Sequence, residues 1–144
     1  MNSPVISVRV SDGSVIKLEC HDALPSTARL AKEYAKSDID SETAIKNLGE
    51  GWHGDEAIAI SLYCVLKSPE DFEKALFMAV NHDGDSDSTG AIVGNILGTY
   101  LGEDKIPSKW KNTVELNKEL KQLATDLYNK PNDIEEKEKR YPTL

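Results

Sequence analysis

The sequence predicts a mainly α-helical fold with a short N-terminal β-hairpin, and three observations support this. Apolar residues recur at helical spacing from Pro25 onward. Helix start and stop signals flank these stretches. β-Branched residues cluster in residues 5–20, before the first helical pattern. The predicted organisation is a hairpin-like extension over residues 1–22, a helical domain over residues 23–130 and a charged tail over residues 131–144.

The first elements follow from local patterns. "VISVRV" and "SVIKLEC" flank the turn signal Asp12-Gly13 and predict a short β-hairpin. "STARLAKEYAK" predicts a helix, and a second short helix is expected from Ser41 to Gly49, where glycine favours a stop. "GWHGDEAIAISLYCVLKS" is apolar nearly all round, which is typical of a buried central helix.

The later segments predict three more helices. In "SPEDFEKALFMAVNH", Ser68 is the expected N-cap and Pro69 the first helical residue. A further helical pattern runs from about Ser88 to Leu101, and "IPSKW" predicts a loop. The last helix is amphipathic, because leucines recur at helical spacing at Leu116, Leu120, Leu123 and Leu127.

Composition and charge exclude several classes of protein. The net charge of -8 argues against general nucleic-acid binding, which needs positive charge against phosphate. No apolar run reaches the roughly 18 residues of a membrane span. Because the N-terminus lacks a signal-peptide pattern and the two cysteines imply no disulfide framework, we expect a cytoplasmic protein.

Acidic residues alternate at Asp83, Asp85 and Asp87, between two apolar helical patterns. Such a run can be an exposed turn, because these side chains satisfy the local backbone. The alternative is a cation site, since neighbouring carboxylates repel unless a counter-charge holds them. Carboxylate oxygens and the Ser88 hydroxyl suit Mg²⁺, Ca²⁺ or Mn²⁺ rather than zinc. An EF-hand is excluded, because Ser88 and Gly94 stand where that loop needs glycine and glutamate.

Glycines recur every fourth residue after the acidic run, at Gly90, Gly94, Gly98 and Gly102. This spacing places them on one helix face. Each costs up to about 1 kcal/mol of helix propensity relative to alanine, so we expect a compensating contact. The predicted contact is the close approach of a neighbouring helix, with the acidic loop carried into an interior cleft.

The motif "GDSDSTGAIVGNILG", preceded by "GWHGDEAIAISLYCVLKSPEDFEKALFMAVNH" and followed by "IPSKW", resembles the C-terminal half of the ADP-ribosylglycohydrolases. These include the dinitrogenase reductase-activating and ADP-ribosylarginine hydrolases. The resemblance covers about Glu42 to Tyr128. It implies a compact orthogonal bundle of helices, present here in part, with two Mg²⁺ or Mn²⁺ ions at the base of a cleft. The implied substrate is an ADP-ribosylated protein or an ADP-ribose-containing small molecule, from which ADP-ribose is removed by hydrolysis.

The resemblance also implies roles for individual residues. Asp85, Asp87 and Ser88 match the family's metal-binding motif, and the two aspartates would also be catalytic, since carboxylates can accept the proton of a metal-bound water. Trp52 could stack on an adenine, although a core position is the commoner role for tryptophan. Further cleft-lining or ligand-orienting candidates are His82, Asp83 and Glu56, with His53 beside the last of these.

The chain departs from the family in one respect. Family members are about twice as long, as expected if two halves of a larger helical domain share the site. Their first half supplies a Thr-Asp-Asp metal motif, whereas Thr125-Asp126 is followed here by Leu127 on an amphipathic pattern. We therefore expect a truncated or split protein whose partner is a separate N-terminal half or a second copy. The alternatives are an inactive remnant that binds ADP-ribose or a protein, and an unrelated acidic interaction protein.

Overall fold

The structure is a computed structural model, and it confirms the mainly α-helical fold. The chain divides into two compact units, Met1–Pro107 and Ser108–Leu144. None of the helices in the described part of the chain is long and apolar enough to cross a membrane. The residues that the structure describes are 5–9, 15–19, 25–129 and 139–141.

The first unit begins with two strands, β1 (Val5–Arg9) and β2 (Val15–Glu19). The strands pair in antiparallel register, with Ser7 opposite Lys17. The turn predicted at Asp12-Gly13 lies outside the described residues.

Five α-helices and a 3₁₀ turn (Glu103–Lys105) follow in the described part of the first unit, and the third α-helix is central. Helix α3 packs against each of the other four, and its Ile60 and Tyr63 are fully buried. This confirms the buried helix that the apolar pattern predicts. The helices are α1 (Pro25–Lys36), α2 (Ser41–Leu48), α3 (Gly54–Lys67), α4 (Phe72–Val80) and α5 (Ser86–Leu101).

Aspartate side chains cap two of these helices. The Asp40 carboxylate accepts a hydrogen bond from the Thr43 amide over 2.9 Å at the start of α2, and this bond lowers the pKa of Asp40. Asp71 caps α4 in the same way, through the Lys74 amide at 3.0 Å. The predicted start of α4 at Ser68 and Pro69 is therefore wrong, because those residues lie in the preceding turn.

Helix α5 packs against α3 and α4, with Val93 and Leu97 buried. Only part of the predicted glycine contact is present. A Cβ atom on Gly90 would lie 2.7 Å from Cγ1 of Val80, so α4 approaches α5 closely there. At Gly94 and Gly98 no described atom lies within 4 Å of the corresponding position. The close approach that the repeat predicts is therefore confined to the first turns of α5.

The second unit contains a short helix, α6 (Ser108–Lys111), and a longer one, α7 (Asn117–Asn129). Helix α6 begins within "IPSKW", the stretch predicted as a loop, so that prediction is wrong from Ser108 to Trp110. Leu116 precedes α7 with a positive φ of 56°, and the leucines predicted as its apolar stripe are exposed. The Arg140 guanidinium pairs with the Asp126 carboxylate at 2.7 and 2.8 Å, which lowers the pKa of Asp126.

We predict that Cys64 resists alkylation in the folded protein. Cys64 is fully buried in α3, and burial raises the pKa of its thiol to about 12. Because the thiolate is the nucleophile, iodoacetamide should label this residue only after unfolding. Peptide mass spectrometry with and without denaturant measures the labelling at Cys64 separately from that at Cys20. Equal labelling rates at Cys64 in the two conditions would contradict the burial.

Candidate functional site

The acidic turn, residues 83 to 88, comprises the end of the loop between α4 and α5 and the first three residues of α5. Asp85 is the N-cap of α5, and its carboxylate accepts a hydrogen bond from the Ser88 amide at 3.4 Å. An Asp87 carboxylate oxygen lies 2.8 Å from the same amide nitrogen. The structure therefore brings two of the predicted carboxylates and the backbone of Ser88 together at the amino end of one helix, where the helix dipole favours negative charge.

The two carboxyl groups also interact with each other. Hydrogen bonding to the Asp87 side chain, followed by that to the Ser88 side chain, holds the pKa of Asp85 below its ordinary value. Burial opposes this change, and the nearby His82 contributes a smaller lowering. Asp85 is consequently ionised at neutral pH, and its carboxylate interacts with the side chains of Asp87 and Ser88.

A second loop, residues 49 to 51, supports the acidic turn. The Asp85 amide donates to the Glu50 carbonyl over 2.8 Å, across 35 positions of sequence. Gly84 lies so close to this carbonyl that an added Cβ would overlap its oxygen and lie 2.6 Å from its carbon. Only glycine permits that approach. Gly51, with a φ of +84°, is also close to α5, because an added Cβ would lie 3.3 Å from Cγ2 of Thr89 and 3.5 Å from Cβ of Asp85.

Glu56 holds this second loop from within α3. Its Oε2 accepts hydrogen bonds from the backbone amides of Glu50 at 3.3 Å and Gly51 at 3.1 Å. A Cβ on Gly49 would lie 2.5 Å from Cδ of Glu56, so the carboxylate packs directly on that glycine. Glu56 therefore fixes the loop whose carbonyl receives the Asp85 amide.

His82 contacts Gly84 within the acidic turn and Thr89 directly after it. Its Nδ1 accepts a hydrogen bond from the Gly84 amide at 3.1 Å. Its Nε2 lies 3.0 Å from the hydroxyl oxygen of Thr89, a fully buried residue in the first turn of α5. The Thr89 hydroxyl in turn donates to the Ala79 carbonyl of α4 at 2.6 Å.

The remaining candidates lie apart from these contacts. Trp52 is 66% exposed, so the core position expected for it is wrong. His53 is the exposed N-cap of α3, and Asp83 is an exposed residue of the acidic turn. Sequence reasoning did not single out Thr89, although a threonine directly after the Asp-x-Asp-Ser motif was visible in the sequence.

The oxygen atoms of the turn fit a hard divalent cation in type but not in number. Carboxylate and hydroxyl oxygens from Asp85, Asp87 and Ser88 are the ligands that Mg²⁺ and Mn²⁺ prefer. Among the described residues, no group of three or more His, Cys, Asp or Glu side chains is placed to hold a metal ion. Two carboxylates and one hydroxyl supply about half of an octahedral coordination shell.

The first unit is a helical domain in which the carboxylates of Asp85 and Asp87 converge at the start of α5. Its candidate site is therefore rich in oxygen atoms. Comparison with known families is more specific. The ADP-ribosylglycohydrolase family model matches residues 8–136. The chain therefore belongs to the ADP-ribosylglycohydrolase family, as its sequence motifs predict. The members of this family are glycohydrolase-type enzymes.

Similar proteins come from archaea, vertebrates and bacteria. An uncharacterised protein of Archaeoglobus fulgidus is 34% identical over 113 residues, which are 78% of this chain and 35% of that protein. The human protein named ADP-ribosylhydrolase ARH3 is 25% identical over 103 residues, which are 65% of this chain and 28% of that protein. The ADP-ribosyl-[dinitrogen reductase] glycohydrolase of Rhodospirillum rubrum is 38% identical over 50 residues, which are 35% of this chain and 17% of that protein.

The chain spans only about a third of the length of the first two of these relatives, by the matched shares of 35% and 28%. No solved structure matches the chain.

We predict that Gly84→Ala destabilises the protein by about 1–3 kcal/mol, because the added methyl group overlaps the Glu50 backbone. Gly94→Ala is the matched control, since no described atom lies within 4 Å of the added carbon. That change should raise stability by about 0.5–1 kcal/mol through helix propensity. Urea unfolding measures both variants. The contact at Gly84 is refuted if its alanine variant is as stable as the wild type.

Proposed function

We propose that this chain supplies part of the metal-dependent catalytic site of an ADP-ribosylglycohydrolase, which removes ADP-ribose from a modified side chain or a small acceptor. One observation carries the proposal. The carboxylates of Asp85 and Asp87 both lie within hydrogen-bonding distance of the Ser88 amide, so three oxygen-bearing side chains are gathered at the start of α5. Membership of the family supports the same class of reaction.

In this proposal Asp85, Asp87 and Ser88 hold one Mg²⁺ or Mn²⁺ ion. Such an ion would polarise substrate oxygens and lower the pKa of a bound water. The ionised Asp85 carboxylate, whose pKa is held below its ordinary value, balances the charge of the ion. Asp87 is more exposed than Asp85 and is the better placed of the two to accept the proton of an attacking water.

Further oxygen ligands must come from elsewhere in the assembled protein. Three side chains cannot complete the shells of two octahedral ions, which together need about twelve ligands. We propose that the missing ligands come from a second polypeptide, either a separate N-terminal half or another copy of this chain. The relatives have room for such a segment, because the match covers 35% and 28% of their lengths.

A second function is favoured by the same ligand count. With one pair of carboxylates, the chain by itself could bind a single ion weakly and retain ADP-ribose without cleaving it. The chain would then act as an ADP-ribose-binding or protein-interaction module. Turnover distinguishes the two functions, because only the first predicts release of ADP-ribose.

We predict that the chain binds Mn²⁺ and that Asp85→Asn or Asp87→Asn lowers the affinity at least about tenfold, through the loss of one charged ligand. Asp104→Asn is the matched control, because Asp104 is an exposed aspartate in the 3₁₀ turn that follows α5. Isothermal titration calorimetry measures all four proteins. Equal affinities in the wild type and the Asp85 variant would remove the metal site from the proposal.

We also predict that hydrolysis needs the complementary segment. The chain should release little ADP-ribose from ADP-ribosylated arginine in Mg²⁺ when alone, and should release it once a segment carrying the Thr-Asp-Asp motif is added. Chromatographic measurement of free ADP-ribose follows the reaction, and Asp87→Asn serves as the inactive control. Absence of turnover in the reconstituted mixture, with ADP-ribose still bound, would favour the binding module.

A further inference from the structure

We propose that His82 is a positioning residue for the segment from Asp85 to Ser88. It holds the residue before this segment, Gly84, and the residue after it, Thr89, through one hydrogen bond at each ring nitrogen. The inference rests on the proposed function in that the positioned groups are the Asp85 and Asp87 carboxylates. His82 itself does not bind the metal or the substrate. Its imidazole ring instead sets where those carboxylates stand.

The two ring nitrogens have separate partners. The Gly84 amide donates to Nδ1 at 3.1 Å, so Nδ1 carries no proton. In the neutral ring the proton therefore lies on Nε2, which donates to the Thr89 hydroxyl oxygen at 3.0 Å. The Thr89 hydroxyl in turn donates a hydrogen bond to the Ala79 carbonyl oxygen at 2.6 Å. Each donor in this series meets an acceptor, so the geometry selects one tautomer.

These hydrogen bonds enclose the segment that carries the proposed metal ligands. Gly84 and Thr89 stand immediately before and after the segment from Asp85 to Ser88. One imidazole ring thus bridges the two ends of that segment, while the Ala79 carbonyl anchors the bridge to α4. Because Thr89 is fully buried and Gly84 abuts the Glu50 backbone, both attachment points are themselves fixed. Carboxylates held in this way lose little conformational freedom when a cation binds.

The same contacts argue against His82 as a proton acceptor in the reaction. Nδ1 is engaged by the Gly84 amide and Nε2 by the Thr89 hydroxyl. A proton could be taken up at Nδ1 only by breaking the bond to Gly84, which would open the turn. A positioning role uses both nitrogens in the arrangement that the structure shows.

Paired substitutions separate the two contacts. His82→Asn keeps an acceptor near the position of Nδ1, His82→Gln keeps a donor near that of Nε2, and His82→Ala keeps neither. We expect His82→Ala to lower Mn²⁺ affinity about 10–100-fold, as found for groups that orient metal ligands. The asparagine and glutamine variants should each lose less than the alanine variant. Thr89→Val should weaken binding, and Thr89→Ser, which retains the hydroxyl, should restore it.

A matched control separates positioning from general stability. Tyr63→Phe removes a hydrogen bond of 3.1 Å between the Tyr63 and Ser41 hydroxyls, within the same unit. It should lower thermal stability and leave Mn²⁺ affinity unchanged. The proposal is overturned if the wild type binds Mn²⁺ and His82→Ala binds it as tightly. It is also overturned if the asparagine and glutamine variants bind no better than alanine, or if Tyr63→Phe weakens binding equally.

A metal-free measurement keeps this inference distinct from the proposed function. Nitrogen-15 spectra of the full chain, recorded where the His82 ring is neutral, should show it as the Nε2-protonated tautomer. The Gly84 amide should exchange slowly with solvent, and its protection should be lost in His82→Ala and kept in His82→Asn. If the wild type shows both features but binds no Mn²⁺, the proposed metal site fails and the positioning of the turn stands. An Nδ1-protonated ring or an unprotected Gly84 amide overturns the positioning role.

Discussion

The candidate site depends on one backbone contact, the hydrogen bond of 2.8 Å from the Asp85 amide to the Glu50 carbonyl. This bond joins the loop before α3 to the turn before α5. Gly84 permits the approach because any side chain there would overlap Glu50. Glu56 holds one side of the contact through two backbone amides, and His82 holds the other through the Gly84 amide. The backbone that carries the carboxylates at the start of α5 is thus held by residues outside the Asp85–Ser88 segment.

Electrostatics explains why two acidic side chains can be neighbours here. Both carboxylates face the Ser88 amide at the positive end of α5, which offsets part of their mutual repulsion. The interaction with Asp87 and Ser88 lowers the pKa of Asp85, so the Asp85 carboxylate retains its negative charge at neutral pH. A turn that is negative, prealigned and partly exposed is suited to a cation and unsuited to an anion such as free phosphate.

Much of the helical fold could be predicted from the sequence, because its signals are local. The all-round apolar pattern of α3 and the stop at Gly49 needed no knowledge of distant residues. Asp85, Asp87 and Ser88 were likewise visible as a motif. The exposure of Trp52 and the contact between Gly84 and Glu50 were not predictable, since they arise from packing between segments far apart in sequence. Glycine spacing predicted a helix contact at four positions, yet only Gly90 has an atom of α4 against it.

The long sequence separation between Glu50 and Asp85 has a consequence for the order in which the protein forms. Closing a loop of that length costs chain entropy before the hydrogen bond is gained. The bond can therefore persist only after α3 and α4 have docked on each other. A synthetic peptide containing just the acidic turn and α5 would lack the Glu50 carbonyl altogether. Such a peptide would carry the same motif, but its carboxylates would sample many orientations. The arrangement of Asp85 and Asp87 is therefore a property of the folded unit and not of the motif alone.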